Sequence, residues 1–101
     1  MELSAGSRWK SRVCDTQVIV VRPPDAPKVL GCGGEEMIPL DADDPRGSLD
    51  PSLAGGTQLG KRYADESSGI EVLCTKAGDG TLTLDGSPLE IKGAKPLPSS
   101  D

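Results

Sequence analysis

The same arrangement of apolar and turn residues occurs twice in this chain. Val21 and Val72 stand 51 positions apart, while Leu30 and Leu82, Gly34 and Gly86, and Met37 and Leu89 each stand 52 apart. Each copy runs strand, turn, a short x-Leu segment, a second turn containing glycine, and an apolar residue three positions after that glycine. The step from 51 to 52 predicts one extra residue in a turn of the second copy. A repeat of this kind restricts the fold to two related units.

The residues between these landmarks read as short strands. "VCDTQVIVVRPP" holds the β-branched run Val18-Ile19-Val20-Val21, stopped by Pro23 and Pro24, as expected of a buried strand ending in a turn. "PKVLGCGGEEMIPL" gives a second strand, a glycine turn and a third strand from about Glu36 to Leu40. In "GIEVLCTKAGDGTLTLDGSPLEIKGA" the spacing predicts an antiparallel meander of three strands. These are Ile70-Glu71-Val72-Leu73, "TLTL" and "LEIK", with a hairpin turn centred on Asp79-Gly80 and another at "DGSP". Between the copies lies "DADDPRGSLDPSLAGGTQLG", acidic and crowded with breakers. It reads as a linker or a loop draped over the surface, with Leu49 and Leu53 to tack it down.

The core available to such strands is thin. Hydrophobic residues make up 35% of the chain, phenylalanine is absent, and Trp9 and Tyr63 are the only aromatics. Val, Leu and Ile must therefore supply nearly all the buried area that aromatic side chains usually carry. Thirteen glycines and nine prolines lengthen the loops, and the glycines add to the entropy lost on folding. A chain of 101 residues in that position is expected to draw on a metal, a disulfide or another chain for stability.

A net charge of −5 argues against nucleic acid or an anionic membrane as partner, since either needs a basic face. Lys10, Arg12, Lys61 and Arg62 are few and scattered along the sequence. No apolar run nears the roughly 20 residues of a spanning helix. "MELSAGSRWKSR" lacks the apolar stretch of a secretory signal, so a cytoplasmic location is expected. Histidine is absent, which removes the commonest general base, the commonest metal ligand and every Ser–His or Cys–His pair. Phosphate-loop and dinucleotide glycine patterns are missing too. The chain is not expected to be an enzyme.

"GIEVLCTKAGDGTLTLDGSPLEIK" resembles desulforedoxin and the N-terminal domain of desulfoferrodoxin. Those small β modules run Y-x-C-x-x-C-G, a strand ending V-E-V, a glycine-rich turn, G-x-L-x-C-C-G-x-P-M and a last strand. Glu71-Val72, Gly78, Gly80, Leu82, Gly86, Pro88 and Leu89 fit that pattern; Leu30, Cys32, Gly34, Glu35 and Met37 fit its later part a second time. The resemblance covers most of residues 12–41 and 60–93, and implies two rubredoxin-like knuckles in tandem. The family holds one iron in four cysteine thiolates, two from each motif. On that implication Cys14 and Cys32 stand at ligand positions in the first copy, with Gln17 and Gly33 at the other two. The second copy has Asp65, Ser68, Leu84 and Asp85 there. Cys74 falls on the strand between the motifs, where the family puts no ligand. The iron chemistry is thus expected to be largely lost.

The residues themselves leave alternatives for the cysteines. A structural zinc or iron site wants four ligands in a tetrahedron, and two chains that each supplied Cys14 and Cys32 would complete four thiolates on a two-fold axis. Alternatively, both are small buried side chains. A disulfide between them would add about 3 kcal/mol but is out of place in a cytoplasmic protein. Cys74 has only Lys76, two residues on, to lower its pKa, and is expected to be structural. Asp41, Asp43 and Asp44, with Glu35 and Glu36, lack the spacing of a calcium loop and read as solvated charge. Asp79 and Asp85 suit turns. Trp9, flanked by Arg8 and Lys10, either folds back onto the core or, with Arg8, anchors a partner.

The expectation is an all-β protein of two related units, each of about three short antiparallel strands, at residues 13–41 and 60–93. An extended arm occupies 1–12, an acidic Gly/Pro/Ser linker 42–59 and an extended tail 94–101. The expected role is a non-catalytic accessory or small subunit, an interaction module packed on a larger protein or on a copy of itself. The alternative is a dimeric zinc or iron module of desulforedoxin type, ligated by Cys14 and Cys32.

Overall fold

Val18-Ile19-Val20 and Val72-Leu73-Cys74 pair with each other across the two copies, as well as with a strand of their own copy. In the computed structural model of the protein, which describes residues 3–43 and 46–92, strand β2 (Gln17–Arg22) lies antiparallel to β7 (Glu71–Lys76). Val18 stands opposite Cys74, Ile19 opposite Leu73 and Val20 opposite Val72. The alternation of a strand then decides burial: Val18, Val20, Val72 and Cys74 are each exposed by 1% or less, while Ile19 and Leu73 are half-buried. Arg8–Lys10 (β1) and Ile38–Pro39 (β5) extend the sheet beyond β2, and Arg62–Ala64 (β6) and Glu90–Ile91 (β10) extend it beyond β7, giving the order β10-β6-β7-β2-β1-β5. A second sheet is formed by Leu30–Cys32 (β3), Glu35–Glu36 (β4), Leu82–Leu84 (β8) and Ser87–Pro88 (β9), in the order β4-β3-β8-β9. The protein is all-β, and its strand pairs are antiparallel. Among the described residues no helix is long and apolar enough to cross a membrane.

Both sheets keep their order when the two halves are exchanged. An approximate two-fold axis passes between Ile19 and Leu73 in the larger sheet and between Gly31 and Thr83 in the smaller. The offset between the copies is not the one that the apolar pattern suggests. β1 and β2 match β6 and β7 at 54 residues, placing Trp9 over Tyr63 and Val18 over Val72, whereas β3 to β5 match β8 to β10 at 52. Main-chain bonds repeat at the same offsets: Gly6 N to Val20 O at 2.8 Å and Gly60 N to Cys74 O at 2.9 Å, Met37 N to Leu30 O and Leu89 N to Leu82 O, both at 2.9 Å. The step comes from the loop 77–81, two residues shorter than its counterpart 23–29, not from an insertion in the second copy. Matching Val21 to Val72 set a 42% exposed residue over a fully buried one.

Each half contributes five short strands rather than about three, and the second half is no meander. Both edges of β7 are taken, by β2 and β6, so the chain leaves it at Ala77 and enters the other sheet. Asp79-Gly80 therefore closes no hairpin. The hairpin turns lie at Gly33-Gly34 (φ 66° and 97°) and at Asp85-Gly86 (φ 50° and 86°). Left-handed backbone at both central residues makes these type I′ turns, whose twist matches the flanking strands. In "LGCGGEEM" Gly33 and Gly34 thus serve the turn, while Gly31 lies in β3, where a Cβ would stand 2.8 Å from Thr83 Oγ1.

Within the expected arm 1–12, residues 3–12 are not free: β1 is part of the large sheet, and Leu3 is buried. Trp9 is 8% exposed and packs in the core, its Nε1 donating to Ser7 Oγ at 3.0 Å. An anchor for a partner must offer its ring to solvent, so Trp9 is a core residue, with Arg8 exposed beside it. The connection between the halves is draped over the first one. Gly47 N donates to Arg12 O at 2.8 Å and Asp50 N to Gly33 O at 2.9 Å, while Thr81 N reaches back to Leu53 O at 2.8 Å. Asp44 and the tail 94–101 lie outside the described residues. Because both sheets span the axis, the two halves share one core that includes Trp9, Leu30, Met37, Tyr63, Leu82 and Leu89.

Candidate functional site

Cys14 and Cys32, brought to attention by sequence, meet in the core. Ser11 to Thr16 forms a closed loop after β1, with Ser11 N donating to Thr16 O at 2.9 Å. The Ser11 hydroxyl accepts from the amides of Val13 (3.1 Å) and Cys14 (3.2 Å), a local bond that serine favours at turns. This fixes the direction of the Cys14 side chain toward β3. There its Sγ lies 3.8 Å from Cys32 Sγ. The thiol of Cys14 donates to Thr16 Oγ1 at 3.2 Å, and Thr16 Oγ1 is held in turn by Thr57 Oγ1 at 2.8 Å. From the second half, Gly80 N donates to Cys14 Sγ at 3.3 Å. Only glycine fits at 80: a Cβ there would stand 2.9 Å from both Cys32 Sγ and Gly33 N.

These contacts split the two thiols. Burial disfavours a thiolate at Cys14, but the Ser11 and Thr16 hydroxyls and the Thr16 and Gly80 amides outweigh it and bring the group down to about 7. Cys32 is wholly buried, and burial followed by the charge of Cys14 pushes it up to about 12. Near neutrality Cys14 is then ionised in a substantial fraction of molecules while Cys32 holds its proton, the state in which a thiol pair can act as nucleophile and partner. Cys74, also in the core, donates to Lys76 O at 3.2 Å and is pushed up, chiefly by burial.

A metal suits this arrangement poorly. Two thiolates on a tetrahedral ion with bonds of about 2.3 Å sit about 3.8 Å apart, which the pair matches. The other two corners have no donors to match: among the described residues no group of three Cys, Asp or Glu side chains converges, and the near neighbours are the hydroxyls of Ser11 and Thr16. Cys14 and Cys32 are 6% and 0% exposed, so a second chain cannot bring its own pair within bonding distance while this core stays closed.

Above Cys14 lies a cleft of about 200 Å³ whose lining includes Lys10, Arg12, Asp15, Arg46 and Lys76. Sequence reading set Lys10 and Arg12 among scattered cations; the fold gathers them with Arg46 and Lys76, which are far apart in the chain. It also missed Ser11, Thr16, Thr57 and Gly80. The 54-residue offset would have exposed the first two, because Ser11–Thr16 then aligns with Asp65–Ile70, a loop closed by the same main-chain bond from Asp65 N to Ile70 O. Comparison with protein families, curated proteins and solved structures finds no match.

Proposed function

We propose that this chain is a non-catalytic, redox-responsive module whose working part is the Cys14–Cys32 dithiol. The observation that carries the reading is the pair itself: two sulfurs 3.8 Å apart, one of them held by hydroxyl and amide donors. Oxidation needs the sulfurs to close to about 2.05 Å, a movement within reach of a side chain at a loop. The module would act as an accessory subunit or interaction module, passing its thiol state to a larger protein or to a second copy. Val21, Val29 and Leu59, which keep 42%, 43% and 66% of their surface exposed, are available for such contacts.

The test is a thiol count and peptide map of the full chain after mild oxidation. A Cys14–Cys32 disulfide with Cys74 left free is the expected product. A native protein that keeps all three thiols under oxidant, or that links Cys74, overturns the reading. So does stoichiometric iron or zinc, near half an atom per chain, that is lost in Cys14→Ser; that result would restore the metal module built from two chains.

A further inference from the structure

The duplication supplies an internal control for the cleft over Cys14. Its counterpart in the second half is an open cleft of about 980 Å³, and the two differ in charge position by position. Lys10 is replaced by Ala64, Arg12 by Glu66, Gln17 by Glu71 and Ile38 by Glu90. Each cleft keeps a cation from the opposite half, Lys76 in the first and Arg22 in the second. Arg12 is paired with Glu35 and Arg46 with Asp15, both at 3.1 Å. Lys10 and Lys76 take part in none of the ion pairs among the described residues. At the position of Cys14 the second half has Ser68. Cys14 lines the positive cleft, whereas Ser68 is buried and is not part of the lining of the other.

We infer that the cleft over Cys14 admits the anionic end of a small disulfide, one bearing carboxylate or sulfonate groups, and turns away cationic disulfides. The inference rests on the dithiol reading and names its reaction partner. About 200 Å³ is below the usual size of a drug-sized pocket, so it accommodates one end of such a molecule. The ammonium groups of Lys10 and Lys76 attract the anion, and the sulfur next to it meets Cys14. The Cys14 thiolate attacks that sulfur, the S–S bond breaks, and the departing thiolate takes a proton from water. Cys32 then gives up its proton and attacks Cys14 Sγ, which forms the internal disulfide and releases the second thiol. The protein loses two electrons and two protons, and the small disulfide gains them.

The experiment compares the reduced full chain with three aliphatic disulfides: 3,3′-dithiodipropionate, 2-hydroxyethyl disulfide and cystamine. Each rate at Cys14 is divided by the rate of the same reagent with the urea-unfolded chain. The expected order at low salt is anionic over neutral over cationic, with about tenfold between the ends, shrinking as salt screens the rim. Lys10→Glu with Lys76→Glu should abolish or reverse the order. Trp9 fluorescence checks that each variant is folded. Equal normalised rates for the three reagents, or an order unchanged in the double lysine variant, overturn the anionic cleft and leave the dithiol standing. If Cys14 reacts with none of them short of unfolding, the dithiol reading falls as well.

Discussion

Gly80→Ala tests the contact that the second half makes with the site. Gly80 lies outside the left-handed region, so alanine meets no backbone penalty there and the clash alone decides. A Cβ at this position stands 2.9 Å from Cys32 Sγ, 2.9 Å from Gly33 N and 3.0 Å from Gly33 Cα. Ordinary contact begins near 3.5 Å, so the 77–81 loop must retreat by roughly 0.6 Å. Overpacking on that scale costs about 1–3 kcal/mol, and the reduced freedom of the unfolded chain returns about 0.4–1 kcal/mol. The net loss is about 1–2 kcal/mol, read in urea as a fall in midpoint of about 1 M. The same retreat lengthens the Gly80 N to Cys14 Sγ bond from 3.3 Å to about 3.9 Å, close to the outer limit for a sulfur acceptor and so much weaker. The Cys14 thiolate is less well held, and the pH midpoint of its alkylation rises from about 7. A Gly80→Ala variant with the parent's urea midpoint and the parent's alkylation profile would refute both steps.

Four further outcomes are expected. In the parent protein, iodoacetamide should label Cys14 with a midpoint near pH 7 while Cys32, pushed up to about 12, stays unlabelled until the fold opens; equal labelling of the two at pH 7.5 would refute the split. Because the folded pKa of Cys14 lies below its unfolded value, its contribution to stability is present above about pH 8.5 and is lost as pH falls through about 7; Cys14→Ser should remove that slope from urea midpoints taken between those limits. Trp9→Ala should cost about 3–5 kcal/mol and Arg8→Ala less than about 0.5 kcal/mol by the same denaturation; a costly Arg8 substitution with a mild Trp9 one would put the ring outside the core. Glu71, whose side chain is 7% exposed between Arg62 at 3.2 Å and Lys92 at 2.6 Å, is held below the usual carboxylate range, first by the Lys92 hydrogen bond. Its stabilisation is present above about pH 4.3 and lost as pH falls through the depressed value. Glu71→Gln should flatten that acid limb and cost roughly 1–2 kcal/mol at pH 7.

The class of the fold and the duplication were legible because they rest on local signals. The β-branched run at Val18–Val20 and the turn residues Gly33-Gly34 and Asp85-Gly86 speak through backbone preference alone. Strand pairing was not legible in the same way. Whether Glu71–Lys76 turns back on its neighbour or joins Gln17–Arg22 depends on which apolar faces meet, and Asp79-Gly80 looked like a hairpin because nothing local records that β7 already has two partners. Trp9 was ambiguous for a related reason: its flanking cations suggested a surface, while pairing of its strand with β2 and β5 carries it into the core. In the site, the two cysteines were visible by type. The split between them was not, since it arises from the burial of Cys32 and from the Ser11 and Thr16 hydroxyls that the folded loop turns onto Cys14, with the Gly80 amide adding a smaller part.

The two-fold arrangement has a consequence for how the chain is made. Leu30–Cys32 finds its central neighbour only at Leu82–Leu84, and Gln17–Arg22 only at Glu71–Lys76. A nascent chain that has emerged as far as the first half presents open strand edges and an unfilled apolar face, with nothing of its own to cover them. Contacts this far apart in sequence slow folding and leave the intermediate prone to stick. Residues 3–43 made alone should therefore be unfolded or self-paired, and addition of residues 46–92 as a second peptide should restore the sheet signal by complementation. Only when Ile91 has left the ribosome can both sheets close around Cys14 and its neighbours.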